Sequence, residues 1–293
     1  MRKSILLAGL ALLFAACSNE SVNEVINDAL VPVKVHVSGF SVSQEELPTT
    51  RAAQDVAEYN GVKAVTLAFY SGSTEVLKTT QQRDDASTYT TFGEFDCSLP
   101  MGSYTMVVIA RGQGDGDVFT LSSPTEAAYT GDHSRETFAT TQAVNITSTD
   151  AVDISATLSR VIAKLQVLSS DGRTANATNV RMTFAAGGKS FNPTTGLATS
   201  NTGFANTVPI SAAVGSTSNS ISYLFLTTDE QNVDVTIETL DGEGNTLFTK
   251  TIENVPFKRN RVTKLTGAMY TNDAVSGGFQ LNSDWLTNEN VAF

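Results

Sequence analysis

The chain has 293 residues and a formal net charge of -11, from 19 Lys and Arg against 30 Asp and Glu. An acidic surface repels phosphate backbones, so we expect no nucleic-acid partner. Hydrophobic residues make up 41% of the chain, enough to fill the core of one large or two modest domains. Only two His and two Cys are present, too few to favour a Ser-His-Asp site or a zinc site. We therefore predict no enzyme activity and no cofactor.

The N-terminus carries a targeting segment rather than part of the fold. Arg2 and Lys3 precede an apolar run at 5–14 that is too short to span a bilayer. The sequence Leu-Phe-Ala-Ala-Cys that ends at Cys17 resembles a bacterial lipobox. The resemblance implies a lipoprotein signal peptide at 1–16 and a lipid on Cys17. The alternative is a plain secretory signal in which Cys17 is incidental.

The residues after the lipobox are polar and mixed, and we interpret 17–30 as a tether between lipid and fold. Cys97 is then the only other cysteine of the mature chain, so no internal disulfide is expected. A buried small hydrophobic side chain is the usual role of such a residue.

The first strand of the fold is predicted at 31–42. Valines recur there at every second position: Val31, Val33, Val35 and Val37. This period is typical of a half-buried strand, which must pair within a sheet to be stable. A polar loop follows at 43–55 and contains Arg51 and Ala52.

The next elements are also short strands with turns between them. A Pro-x-Gly turn at 99–104 leads into a nearly all-apolar strand that ends at Ala110, the pattern of a strand buried inside a sandwich. Residues 78–89 are polar and indicate a loop, and 124–136 has the pattern of a helical turn.

A boundary is predicted near 145–155, because strands resume beyond it with a new alternation at 154–167. The turn at 241–245 between two alternating segments is typical of a hairpin. Many short strands and almost no helix favour an all-β protein. We predict two tandem β-sandwiches, at 31–150 and 151–293.

Residues with possible chemistry are few. His36 lies on the wet face of the first strand and His133 in a loop, so both are interpreted as surface residues. The acidic turns at 114–117 and 241–245 favour plain hairpin turns over weak calcium sites. The basic cluster at 258–261 is interpreted as a solvated strand edge.

Five motifs resemble the Bacteroidales fimbrillins, which are lipoprotein-derived pilins of the type V class. In addition to the lipobox, they are Thr50–Ala52, Leu99–Tyr104, Thr157–Val167 and Asn254–Gly267. Together the five motifs cover most of the chain, and the resemblance rests on their order and spacing. The resemblance implies transthyretin-like, Greek-key sandwiches and a fimbrial structural subunit that supports cell adhesion.

The resemblance also implies a mechanism of assembly. The precursor would reach the outer membrane as a lipoprotein, and a trypsin-like protease would cut between Arg51 and Ala52. The strand at 31–42 would then leave, and its groove would accept a strand from another pilin subunit in a fimbrium at the cell surface. The expected donor is the C-terminal tail at 277–293. Its apolar side chains are Phe279, Leu281, Trp285, Val291 and Phe293.

Other interpretations remain open at this point. The second interpretation is a lipidated anchor that ends the fibre, although an anchor has no need of a donor tail and the apolar tail favours a polymerising subunit. A surface glycan-binding lipoprotein would require aromatic platforms, and Trp285 is the only Trp. The tail itself could be an edge strand of its own domain.

Overall fold

The computed structural model describes residues 29–41, 56–83, 91–112, 118–131, 133–271 and 280–282. These residues form strands and turns and contain no helix, which confirms the predicted all-β class. The strands are β1 Val31–Ser41, β2 Ala64–Ser71, β3 Thr74–Gln82, β4 Glu94–Leu99, β5 Gly102–Arg111, β6 Phe119–Ser123, β7 Glu126–Tyr129, β8 Thr137–Ile146, β9 Val152–Arg160, β10 Ala163–Ser169, β11 Asn179–Phe184, β12 Ser190–Phe191, β13 Phe204–Pro209, β14 Asn219–Leu224, β15 Glu230–Leu240, β16 Thr246–Lys258, β17 Val262–Gly267 and β18 Gln280–Asn282.

The first sandwich is a single seven-stranded sheet in the order β3-β2-β5-β8-β9-β1-β4. β8 and β9 pair only at Phe138 with Arg160 and Ala139 with Ser159. One hydrophobic core contains side chains from both halves of this sheet, β2-β5-β8 and β9-β1-β4. The sheet must therefore fold over at the short junction between β8 and β9. The two halves therefore face each other as the layers of a sandwich.

β2 and β5 are buried on both faces. Val65, Leu67 and Phe69 of β2 point into the first core, whereas Ala68 and Tyr70 contact a second hydrophobic cluster. β5 alternates in the same way between the two clusters. Its nearly all-apolar sequence is thus explained by cover on both faces, as predicted.

The second sandwich is made of two four-stranded sheets, β14-β10-β17-β18 and β13-β11-β15-β16. Alternate side chains from both sheets form its core, and Phe184 and Phe257 meet there with ring centroids 6.0 Å apart. Asp241 closes the β15–β16 hairpin, because its carboxylate accepts hydrogen bonds from the backbone N–H of Glu243 and Asn245 at 2.9 and 2.8 Å.

An apolar cluster joins the two sandwiches. A three-stranded sheet, β12-β7-β6, combines strands from both parts of the chain and packs on the outer face of β2 and β5. Phe225 is fully buried there and stacks on Phe191 with a centroid distance of 4.3 Å. Val161 and Ile162, which connect the sandwiches, are buried in the same cluster.

The change of sandwich occurs at 161–162 rather than at the predicted 150–151. β9 lies in the first sheet, and its Ile154, Ala156 and Leu158 belong to the first core. The polar stretch that suggested a boundary is the turn between β8 and β9. Turns inside a domain have the same composition as linkers between domains.

Two local predictions were wrong. Residues 78–82 are part of β3, not a loop, because β3 is an exposed edge strand whose polar side chains show no alternation. The stretch predicted as a helical turn instead contains β7. Its small residue Ala127 is fully buried under the interdomain cluster.

We expect Phe225→Ala to destabilise the protein by about 3–5 kcal/mol, since the removed ring leaves a cavity between the sandwiches. Calorimetry should then show the single unfolding transition of the wild type divided into two. Phe257→Ala is the matched control, because it removes an equal volume from inside the second sandwich and should leave the contact between sandwiches intact. A single unshifted transition in Phe225→Ala would contradict the assigned role of the cluster.

Candidate functional site

β1 is an interior strand of the first sheet. It pairs in parallel with β9, from Val33 opposite Val152, and antiparallel with β4, from Val31 opposite Leu99. The four alternate valines at 31, 33, 35 and 37 are between 0% and 1% exposed, and the residues between them are exposed. The predicted strand and its inward face are therefore present in the folded chain.

Burial and backbone pairing provide most of what holds β1 in place. Full burial of four valines gains roughly 6–12 kcal/mol before the entropy of ordering the strand is subtracted, a cost of similar size. Its polar contacts add little: Lys34 lies 4.0 Å from Asp96 with both side chains mostly exposed, and His36 pairs with Glu94 at the surface.

Cys97 lies on the inward side of β4, opposite Val33. Its thiol is half-buried and lies 3.5 Å from the Val33 carbonyl oxygen of β1. Burial, with a smaller contribution from Asp96, raises the pKa of the thiol, so its reactive thiolate is scarce at neutral pH. The reactivity of the Cys97 thiol should therefore indicate whether β1 is in place beside β4.

The end of the β1 groove is closed by the segment that resumes after the predicted loop. β1 stops pairing with β4 at His36, and the Val37 N–H then donates to the Gly93 carbonyl at 3.0 Å. Val56 is fully buried against Gly93. Residues 42–55, with Arg51 and Ala52, lie outside the described residues, as does Cys17.

The predicted donor tail contributes one described strand. β18 pairs antiparallel with β17, with Leu281 opposite Leu265, so it forms an edge of the second sandwich. This arrangement agrees with the alternative of an intrachain edge strand. The other predicted donor side chains, at 279, 285, 291 and 293, lie outside the described residues.

Asp171 fixes the point where the tail leaves the second sandwich. Its carboxylate accepts hydrogen bonds from the backbone N–H groups of Met269, Tyr270 and Thr271 at 2.9, 2.9 and 3.0 Å, and from the Thr271 hydroxyl at 3.1 Å. Partial burial alone would raise the pKa of Asp171, but these four donors lower it below its ordinary value. No local sequence pattern indicates this role, because the partners of Asp171 are far away along the chain.

A polar groove of about 670 Å³ lies where the two sandwiches meet, and it includes the basic cluster at 258–261. Two of its cations face carboxylates at short range: Lys258 lies 2.7 Å from Glu230, and Arg259 lies 2.6 Å from Asp229. The cluster is therefore partly ion-paired at the turn between β16 and β17.

The other candidate residues from the sequence do not come together in a binding or catalytic site among the described residues. His36 is at the surface beside Glu94, His133 is half-buried in a loop, and the acidic turn at 114–117 lies outside the described residues. Across the described ranges, no three His, Cys, Asp or Glu side chains are placed to share a metal ion. Nor does this part of the chain contain a helix that is long and apolar enough to cross a membrane.

A family model matches residues 32–290, almost the whole folded part. The chain belongs to the family of unknown function DUF6562. No curated protein matches the sequence. Among solved structures, the fimbrial anchor protein Mfa2 of Porphyromonas gingivalis matches with a TM-score of 0.50 at 10% identity, over 86% of this chain and 97% of Mfa2. A candidate adhesin of Bacteroides ovatus matches with the same TM-score and identity, over 85% and 88%. At this identity the likeness shows that DUF6562 shares their fold.

We expect Val35→Ala to lower the free energy of unfolding by about 1–3 kcal/mol, because it opens a cavity under β1. Lys34→Ala, on the exposed face of the same strand, should change it by less than about 0.5 kcal/mol. Urea denaturation measures both. Equal effects of the two variants would contradict the inward orientation of the valines.

The Asp171 contacts predict a pH-dependent stability. Because the folded pKa is lowered, the carboxylate stabilises the fold above the unfolded pKa of about 3.9, and this contribution is lost as the pH falls through the folded pKa. Asp171→Asn should therefore be less stable than the wild type at pH 7, and the difference should shrink below pH 3. Thermal unfolding at both pH values tests this, with exposed Asp153→Asn as the control.

Proposed function

We propose that this protein is a fimbrial structural subunit that supports cell adhesion, is exported as a lipoprotein and assembles by donor-strand exchange after cleavage at Arg51. The observation that carries the proposal is β1 itself. It is an interior strand with four buried valines, and it is connected to the rest of the fold through the loop that contains Arg51.

Cleavage would turn β1 from a part of the chain into a bound peptide. While the loop is intact, a departing strand stays close and rebinds; once it is cut, the strand dissociates with the affinity of a separate ligand. Its loss would leave β4 without its partner strand and β9 paired only with β8, and it would open slots for alternate apolar side chains. An extended segment with the same alternation fits such a groove through backbone hydrogen bonds.

The C-terminal tail of another subunit is the proposed donor. Among the residues that the structure describes, β18 is an edge strand that pairs with β17 over three residue pairs. Such short edge pairing would be given up easily in exchange for a longer groove. A contact between the tail of one subunit and the groove of the next is head-to-tail and does not close on itself, so it continues into a filament.

The role of a lipidated anchor is the second candidate. It is favoured by the fold shared with the P. gingivalis anchor protein and by the lipobox that ends at Cys17. In both roles the partners are other pilin subunits and the outer membrane, and a trypsin-like protease acts on the shaft subunit. The chain carries a formal net charge of -11, which does not favour nucleic acid.

The test uses the full chain with Cys17→Ser, so that Cys97 is the only thiol. After limited trypsin digestion, we expect a single cut at Arg51, release of the peptide that contains β1, and SDS-resistant ladders. Cys97 should become reactive to a thiol reagent at the same time, because its neighbouring strand has left. Arg51→Ala should show none of these changes.

A chain that ends at residue 276 separates the two parts of the proposal. After the cut, its Cys97 should become reactive while no ladder forms, since the groove opens but the donor is missing. Ladders without the tail would refute the tail as donor. Reactive Cys97 without ladders in the complete chain would favour the anchor role, and resistance of Arg51 to cleavage would refute maturation.

A further inference from the structure

The segment at 56–62 follows directly after the loop that contains Arg51. It has no regular secondary structure, yet Val56, Tyr59 and Val62 are only 0%, 6% and 0% exposed and belong to the first core. Such deep burial of an irregular segment leaves its backbone carbonyls in need of partners.

Arg83 provides those partners at the end of β3. Its guanidinium donates to the carbonyl oxygens of Val62, Ala57 and Val56 at 2.9, 2.6 and 3.3 Å, and to that of Tyr59. It also stacks over the ring of Phe92, 4.3 Å from the centroid. One charged group with several fixed N–H donors thus binds four carbonyls of a single short segment.

Tyr59 gives the segment a second attachment. Its hydroxyl donates to the Glu136 carboxylate at 2.8 Å, and Glu136 in turn pairs with Arg160 at 2.8 Å. The ring of Tyr59 meets Phe138 edge-on, with a centroid distance of 5.8 Å. None of these partners belongs to β1, so the attachment does not depend on that strand.

The retained segment also shapes the groove. Gly93 has a φ of 94°, and a Cβ on it would lie 2.4 Å from Val56 Cγ1 and 3.4 Å from Val37 Cβ. Val56, Gly93 and Val37 are therefore in close contact where β1 stops pairing with β4. Val56 forms the end wall of the groove, next to the slot of Val37.

We propose that Arg83 is a positioning residue that keeps 56–62 in place when the chain is cut upstream. Cleavage then releases β1 alone, and Val56 remains as the wall that sets where an incoming strand must end. The role of Val56 as a wall for an incoming strand rests on the proposed function, whereas retention of the segment at 56–62 does not.

Hydrogen exchange of the uncut protein tests retention directly. Arg83→Met keeps an aliphatic stem over Phe92 but removes every donor, so the amides at 56–62 should exchange roughly ten- to a hundredfold faster. Arg173→Met is the matched control. Arg173 binds the carbonyls of Ala177 and Ala212 in the second sandwich at 2.8 and 2.6 Å, so its loss should leave the exchange at 56–62 unchanged.

Limited trypsin digestion gives a second readout. The wild-type and Arg173→Met proteins should keep Ala52 as the new N-terminus, whereas Arg83→Met should also be cut after Lys63, because the released segment exposes that bond. The variant removes the tryptic site at 83 itself, so the new end is unambiguous. Mass spectrometry reads both ends.

Unchanged exchange and an unchanged N-terminus in folded Arg83→Met would overturn the proposal. If that variant does not fold, Arg83→Lys replaces it, since a single ammonium keeps the charge but lacks the guanidinium fork that binds four carbonyls; exchange at 56–62 should rise severalfold, and no rise would overturn the proposal as well. Resistance of wild-type Arg51 to trypsin would refute the proposed maturation. It would not refute the positioning role of Arg83, which the exchange measurement on uncut protein tests separately.

Discussion

The arrangement of β1 between β9 and β4 is the constraint on which the rest of the structure depends. Its valines complete one wall of the first core, and both neighbours use it as their partner. A strand in this position cannot be lost without consequence, because it leaves two unpaired edges and an open apolar channel. The same features that stabilise the intact chain therefore create a binding site when β1 is absent.

The opposite half of the first sandwich has support that does not come from β1. β2 and β5 are covered on one face by the first core and on the other by the interdomain cluster, which includes Tyr70 and Ile109. The second face does not involve β1 at all. Stacked rings of Phe191 and Phe225 link this cluster to the second sandwich. Loss of β1 would thus expose one side of a layer that is still supported from behind.

Sequence patterns predicted the parts of the structure in which burial follows a simple period. The alternating valines of β1 and the apolar run of β5 were both identified, because solvent and core, or two cores, impose a regular order on them. β3 was missed because its residues are exposed on both faces as an edge strand. The boundary at 161–162 was missed because Val161 and Ile162 are buried and carry no linker composition.

The candidate site was only partly predictable, for a related reason. The strand β1 could be identified from the valine pattern, but the roles of Arg83 and Asp171 could not, since nearly all their partners are backbone groups at distant positions. Arg83 reaches carbonyls 21 to 27 residues earlier in the chain, and Asp171 reaches N–H groups 98 to 100 residues later. A backbone group has no signature in the sequence, so such contacts become visible only when the fold brings the segments together.

In the proposed assembly, Arg83 would act beside the groove that receives a strand, and Asp171 beside the tail that supplies one. Arg83 holds the backbone that follows the cut, and Asp171 holds the backbone from which the tail departs. Because each binds mainly main-chain atoms, with the Thr271 hydroxyl as the added side-chain partner of Asp171, its grip depends little on the side chains of the segment that it holds. In the proposed assembly, the segments beyond them, β1 and the tail, would carry the apolar pattern that decides which strand fits which groove. Main-chain atoms would thus hold the segments in place, and apolar side chains would select the strand that enters the groove. A change in the selected side chains would then leave the attachment largely intact.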